Sequence, residues 1–186
     1  MGHDDPEHEH HHHAVPSGGD SAPREHKAHA PVQVACFVLT CSDSRSAAAD
    51  TSGKLICDQL EGAGHLVAGR RLVHDEPSEI RKALDEAVGL GARAIVITGG
   101  TGIGRRDSTY EVVSSVLEKK LDGFGELFRM LSFEEIGSAA MMSRAVAGTH
   151  RGAIIFALPG STGAVRLALT RLILPELGHA VRELTR

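Results

Sequence analysis

Ala94-Ile-Val-Ile-Thr-Gly-Gly-Thr-Gly102 is the stretch from which the fold of this chain is read. Five apolar or β-branched residues run straight into a glycine-rich turn. The run is too short and too uniformly apolar for an amphipathic helix, so it predicts a strand buried on both faces. Two further runs have the same character, Val32–Thr40 (VQVACFVLT) and Ala153–Leu158 (AIIFAL). His65–Val73 reads as a second, more amphipathic strand.

Helical patterns lie between these strands. Thr51 or Ser52 opens one through about Glu61, with Leu55, Ile56 and Leu60 on one face. Pro77 opens another at its favoured first-turn position, with Ile80, Leu84, Ala87 and Val88 inside. Helical patterns are also expected around Tyr110–Glu118, Gly125–Leu131, Ile136–Val146, Ala164–Ile173 and Pro175–Leu184. Alternating strands and helices, with apolar strands, imply an α/β fold: a three-layer α/β/α sandwich with a mostly parallel sheet.

Composition bounds the function. The chain has 186 residues, with 20 Lys+Arg against 24 Asp+Glu and 3% aromatics without Trp. That is neither the basic footprint nor the stacking platform of a nucleic-acid binder. No apolar run is long enough to span a membrane. Cys36, Cys41 and Cys57 form no CxxC pair, and read as reduced thiols of a cytoplasmic protein.

Residues 1–30 differ from the rest. They hold 8 of the 12 His, and six acidic residues against Arg24 and Lys27, which accounts for the whole net charge of −4. With almost nothing apolar to bury, this segment is expected to be a disordered, acidic, His-rich tail ahead of one domain at 31–186. His8 and His10–His13 allow two readings: a solvated tract with incidental metal affinity, or a tail that delivers a metal.

Ligands of open parallel sheets bind beyond the carboxyl ends of the strands. Each expected strand here exits into polar residues. They are Thr40-Cys41-Ser42-Asp43-Ser44-Arg45, His74-Asp75-Glu76, Gly99-Gly100-Thr101-Gly102 with Arg105-Arg106-Asp107, and Pro159-Gly160-Ser161-Thr162-Gly163. The two glycine-containing turns suit phosphate oxygens, because main-chain N–H groups lie open there. No Gly-Lys-Ser/Thr follows, and the glycines alternate as GxGxG, so neither a P-loop nor a dinucleotide site is expected. Asp75 and Asp107 beside phosphate cradles make sense with a cation between them, and Mg²⁺ is commonly held by one or two carboxylates plus substrate phosphates. Each Asp also has a plain structural reading as a helix cap. Arg105 and Arg106 could clamp phosphate. Cys41 reads as structural, since no local His could activate it, and His74 is the one core-region histidine expected at the pocket.

These residues carry a resemblance. Thr98-Gly-Gly-Thr-Gly102 with Arg106-Asp107 resembles the signature of the MoaB/Mog family of molybdenum cofactor biosynthesis proteins. Leu121–Gly137, Ser143-Arg144, Leu158–Ala164 and Pro175–His179 resemble its MoaB branch. The resemblance implies a molybdopterin-binding fold, usually a homotrimer or homohexamer. It also implies adenylylation of molybdopterin, in which ATP and Mg²⁺ give adenylyl-molybdopterin and pyrophosphate, and a downstream molybdenum-insertion protein as partner. The alternative within the same pathway is a non-catalytic molybdopterin carrier or assembly protein. By position, Asp75 and Asp107 match the family's catalytic, metal-holding acids. Ser42, Asp43, Asp50, Gly99, Gly100, Thr101, Gly102, Ser143, Pro159, Gly160 and Ser161 match its ligand-binding segments, and Arg106 is assigned to charge stabilisation. One departure stands out: many relatives read Arg-Asp-Val-Thr-Pro-Glu where this chain has Arg106-Asp-Ser-Thr-Tyr-Glu111, without the helix-opening proline. The closing helices from Ala164 are expected to offer apolar surface between subunits.

Overall fold

The computed structural model describes residues 33–186, so the His-rich tail and its two readings lie outside the described residues. Four adjacent parallel strands, from the β2 edge inward, form most of a six-stranded sheet ordered β2-β1-β3-β6-β5-β4. They are β1 (Ala35–Cys41), β2 (Leu66–Val73), β3 (Ala94–Thr98) and β6 (Ala153–Leu158). The remaining two, β4 (Lys119–Lys120) and β5 (Val146–His150), extend one edge, with β5 antiparallel to β6 and to β4.

Side chains alternate across the central strands and feed two cores. Cys36 and Val38 of β1 and Val96 of β3 face one layer. That layer is built from α1 (Thr51–Gly62), α4 (Asp122–Ile136), α5 (Thr162–Ala168) and α6 (Leu174–Glu183). Phe37, Leu39, Ile95 and Ile97 face the other, built from α2 (Pro77–Gly89) and α3 (Thr109–Val116). The sandwich is therefore three-layered and mostly parallel, as the apolar runs require.

Three expectations change. The helical pattern over Ile136–Val146 resolves into a 3₁₀ turn (Gly137–Met142) followed by β5. Ala147 and Gly148 are weak strand formers, and pairing with β6 decides their state. The connection is tight: Arg151 and Gly152 both have positive φ (47° and 78°), as a type I′ hairpin turn demands. The closing helices, second, are not an apolar surface, because Val165, Leu167, Leu169, Ile173, Leu177 and Val181 are all buried in this subunit's own core. Exposed apolar residues gather instead on α4 and the turn after it: Leu127, Met130, Phe133, Ile136 and Met141. Third, the helix expected from Tyr110 begins at Thr109 as α3 (Thr109–Val116), because the Asp75 carboxylate fixes its first turn.

Candidate functional site

The chain runs from β1 outward to β2, then returns past β1 to β3, so the strand order reverses between β1 and β3. A cavity of about 570 Å³ opens at the carboxyl ends of these strands. Gly99 makes that junction possible. Its φ is +97°, and a Cβ there would sit 2.1 Å from the Cys41 carbonyl oxygen. Gly100 is also left-handed (φ +64°), and its Cβ would meet the Asp75 carboxylate at 2.1 Å. Among the described residues, the N–H groups of Gly100, Thr101 and Gly102 donate to no protein acceptor, nor do those of Gly160 and Ser161. Open donors at two adjacent turns are what a polyphosphate needs.

Asp75 is 7% exposed. Its Oδ1 accepts from Ser108 N (3.0 Å), Ser108 Oγ (2.8 Å) and Thr109 Oγ1 (3.3 Å). It therefore caps α3, 33 residues away, rather than α2, whose N-cap Glu76 makes no side-chain cap bond. Asp107 does not cap α3; its Oδ2 accepts from Gly104 N at 2.7 Å and closes the loop. Both carboxylates lie against the glycine loop. Asp75 Oδ2 and Asp107 Oδ1 accept no hydrogen bond among the described residues.

Ser42 turns the β1 exit by accepting from Ser44 N and Arg45 N. Asp43 Oδ1 accepts from Asp75 N (3.2 Å), and Asp43 Oδ2 pairs with Arg106 Nε at 2.8 Å. Arg106 also reaches Glu76 at 3.3 Å, so two carboxylates hold this exposed guanidinium at the rim. Ser143 reaches the cavity from the turn before β5, and Ser161 caps α5 by accepting from Ala164 N.

Of the fourteen residues to which the resemblance assigns a catalytic or binding role, thirteen line this cavity. The exception is Asp50. Its carboxylate is buried, caps α1 through Gly53 N (2.9 Å), accepts from Thr40 Oγ1 (2.8 Å), and pairs with Arg70 at 2.6 Å. Both its oxygens are engaged inside the fold. Burial pushes its pKa up, but the bonds from Arg70, Gly53 and Thr40 outweigh that and hold it below its ordinary 3.8. A carboxyl depressed in the folded state stabilises the protein above its unfolded pKa, and that contribution is lost as pH falls through the folded value. Denaturant titrations at several pH values should therefore show stability falling below about pH 4, less steeply in Asp50→Ala, which itself costs about 2–3 kcal/mol at neutral pH.

His74 is also outside the cavity; it is exposed beside Glu79. Arg105 does not line it either, leaving Arg106 as the rim cation of that pair. Cys41 does line it, and burial, aided by the Asp75 charge, pushes its thiol up to about 12 against a lowering bond from Thr109. A thiol so poised stays protonated and is no nucleophile at neutral pH.

Two arginines were not singled out as ligand-binding from the sequence. Arg45 Nη2 donates to the Gly160 carbonyl (2.9 Å), which Ser52 Oγ also reaches at 2.9 Å, tying the two loops together. Arg144 donates from Nε to the Thr101 carbonyl (3.1 Å) and from Nη2 to that of Gly102, pairs with Glu111, and lies 4.7 Å over the Tyr110 ring. Arg144 thus straps the glycine loop to α3. Apolar wall comes from Phe128, Ile136 and Met142.

A family model described as a probable molybdopterin binding domain matches residues 37–179. The chain is 52% identical over 162 residues to molybdenum cofactor biosynthesis protein B of Halalkalibacterium halodurans, covering 86% of this chain and 95% of that protein. It is 48% identical over 163 residues to the Bacillus subtilis protein of the same name, covering 87% and 96%. A solved structure of a molybdenum cofactor biosynthesis protein B superposes with TM-score 0.81 at 47% identity, over 84% of this chain and 99% of that one. The tungsten cofactor synthesizing protein MoaB from Pyrococcus furiosus superposes with TM-score 0.77 at 38% identity, over 84% and 100%.

Proposed function

Because the chain belongs to the molybdopterin-binding domain family, among the B proteins of molybdenum cofactor biosynthesis, we propose that it adenylylates molybdopterin at this cavity. One observation carries the reading: two carboxylates, each with an oxygen left free of hydrogen bonds, stand against a turn whose own amide donors are unspent. That set suits a triphosphate and a hard cation together. Among the described residues no three metal-ligating side chains gather. Two carboxylates completed by substrate phosphates are the ordinary protein share of a Mg²⁺ site. Asp75 and Asp107 would hold Mg²⁺, which when bound supplies charge neutralisation at the phosphates.

In the reaction a phosphate oxygen of molybdopterin attacks the α-phosphorus of ATP. One P–O bond forms, the α–β anhydride breaks, and pyrophosphate leaves with the electron pair. The attacking oxygen is already anionic, so no general base is required. This agrees with a cavity lined, among the described residues, by no histidine and by a protonated Cys41. The chain contributes placement. The Gly99–Gly102 and Pro159–Ser161 turns hold phosphate oxygens, and Arg144 and Arg45 keep those turns in position. Arg106 stands at the rim, available to developing negative charge if it releases Asp43 or Glu76. The apolar residues exposed along α4 offer surface for self-association, in keeping with a trimer or hexamer.

The test is pyrophosphate release from ATP by the full-length protein with freshly prepared molybdopterin. Release is expected with Mg²⁺ and is expected to cease with a chelator. Molybdopterin bound stoichiometrically, with no release under any divalent cation, would instead make the chain a carrier in the same pathway.

A further inference from the structure

A second cavity, of about 260 Å³, shares Ser143 with the first. Its polar lining is Tyr110, Lys120, Asp122, Arg129, Ser143 and Arg144. Arg129 is half-buried and Lys120 is exposed, and among the described residues neither side chain makes a hydrogen bond or ion pair. A guanidinium partly withdrawn from water gains from an acceptor that replaces the lost hydration. The charge of Arg144 is already shared with Glu111, and Asp122 is the one carboxylate in the lining. The other groups donate. Ser143 Oγ accepts from Ala145 N and so keeps its own proton to give, and Tyr110 carries a phenol. The Tyr110 ring lies beneath Arg144.

We propose that this cavity binds a phosphate group, free or as the terminus of a small phosphorylated molecule, held by the fork of Arg129 and the point charge of Lys120. The donors suit an oxyanion with several terminal oxygens, and the volume admits a phosphate ester. Occupancy there bears on the first cavity, because Arg144 stands in this wall while holding the Thr101 and Gly102 carbonyls. The proposal goes beyond the adenylylation reading and does not depend on it.

Isothermal titration calorimetry of the full-length protein, without nucleotide or divalent cation, tests it. The probes are inorganic phosphate and, separately, glycerol phosphate. Both are expected to bind. Equal affinity marks a free anion as the occupant, and a tighter ester marks a phosphorylated molecule. Arg129→Gln should weaken binding by about 10- to 100-fold, Lys120→Gln less, and Arg129→Lys less than Arg129→Gln. Ser161→Asp keeps the α5 cap but places a negative charge in the first cavity, and should leave this binding intact. Absence of binding to the wild type overturns the proposal. So does binding lost in Ser161→Asp yet unchanged in Arg129→Gln and Lys120→Gln. So too does an Arg129→Gln variant that binds normally but sediments as a different oligomer, since its cation would then serve a subunit contact. If Arg129→Gln fails to fold, unchanged affinity in Lys120→Gln, on the edge strand, decides against it. Each outcome is read by calorimetry without nucleotide or divalent cation, and the adenylylation reading by pyrophosphate release from the wild type, so the two readings fail separately.

Discussion

Replacing Asp107 with Asn lowers pyrophosphate release from ATP and molybdopterin by roughly 10²- to 10³-fold, the scale on which a preorganised charge at a transferring phosphoryl group acts. Asn is the informative choice. The Asp107 carboxylate also accepts from Gly104 N at 2.7 Å, so Asp107→Ala would open the loop as well as remove the charge. Asn keeps an acceptor for that N–H and loses only the anionic oxygen. Asp75→Asn runs in parallel: an amide oxygen can still accept from Ser108 and Thr109 and start α3, while the oxygen facing Gly100 becomes uncharged. Both variants should melt close to the wild type by circular dichroism while losing activity. Activity retained in both, with ATP turnover unchanged, would remove these carboxylates from the reaction.

Gly99→Ala destabilises the protein by about 3–5 kcal/mol, lowering the melting temperature by roughly 10 °C. Two costs combine. A φ of +97° lies where a side chain is strained, and the new methyl would stand 2.1 Å from the Cys41 carbonyl oxygen. The obstacle is backbone of the neighbouring central strand, which cannot swing aside. Relief requires β1 and β3 to part at the centre of the sheet. Gly163→Ala is the control, since no atom lies within 4 Å of its Cβ position and its φ is ordinary. It should be neutral or stabilising by up to about 1 kcal/mol. Equal melting temperatures for the two variants would show that the Gly99 turn yields more easily than its geometry implies.

The cavity was legible because its parts are short, local and punctuated. Apolar β-branched runs end in glycine and carboxylate at Thr98-Gly99, Val73-His74-Asp75 and Leu158-Pro159-Gly160, and parallel topology forces those ends together. Asp50 allows two readings in the sequence, a ligand contact or a cap of the first helix, because a carboxylate near the first strand exit has the same local appearance in either role. Its partner Arg70 lies 20 residues on, across a strand pair. Strand β5 was misread because Val146-Ala-Gly-Thr-His150 has little strand character of its own, although the Arg151-Gly152 pair was a hairpin cue in plain view.

The sequence by itself determined the layers, the four parallel strands and the edge at which the cavity opens. Hydrophobic period and glycine placement are properties of a few neighbouring residues, and burial rewards them wherever they occur. Tertiary structure alone decided which polar groups are spent and which are free. Asp75 is committed to α3 through one oxygen, Asp50 is consumed through both, and Arg45 and Arg144 work on carbonyls 115 and 42 or 43 residues away. Hydrogen bonds are short-ranged and directional, so their partners are set by where the folded chain brings atoms within about 3 Å.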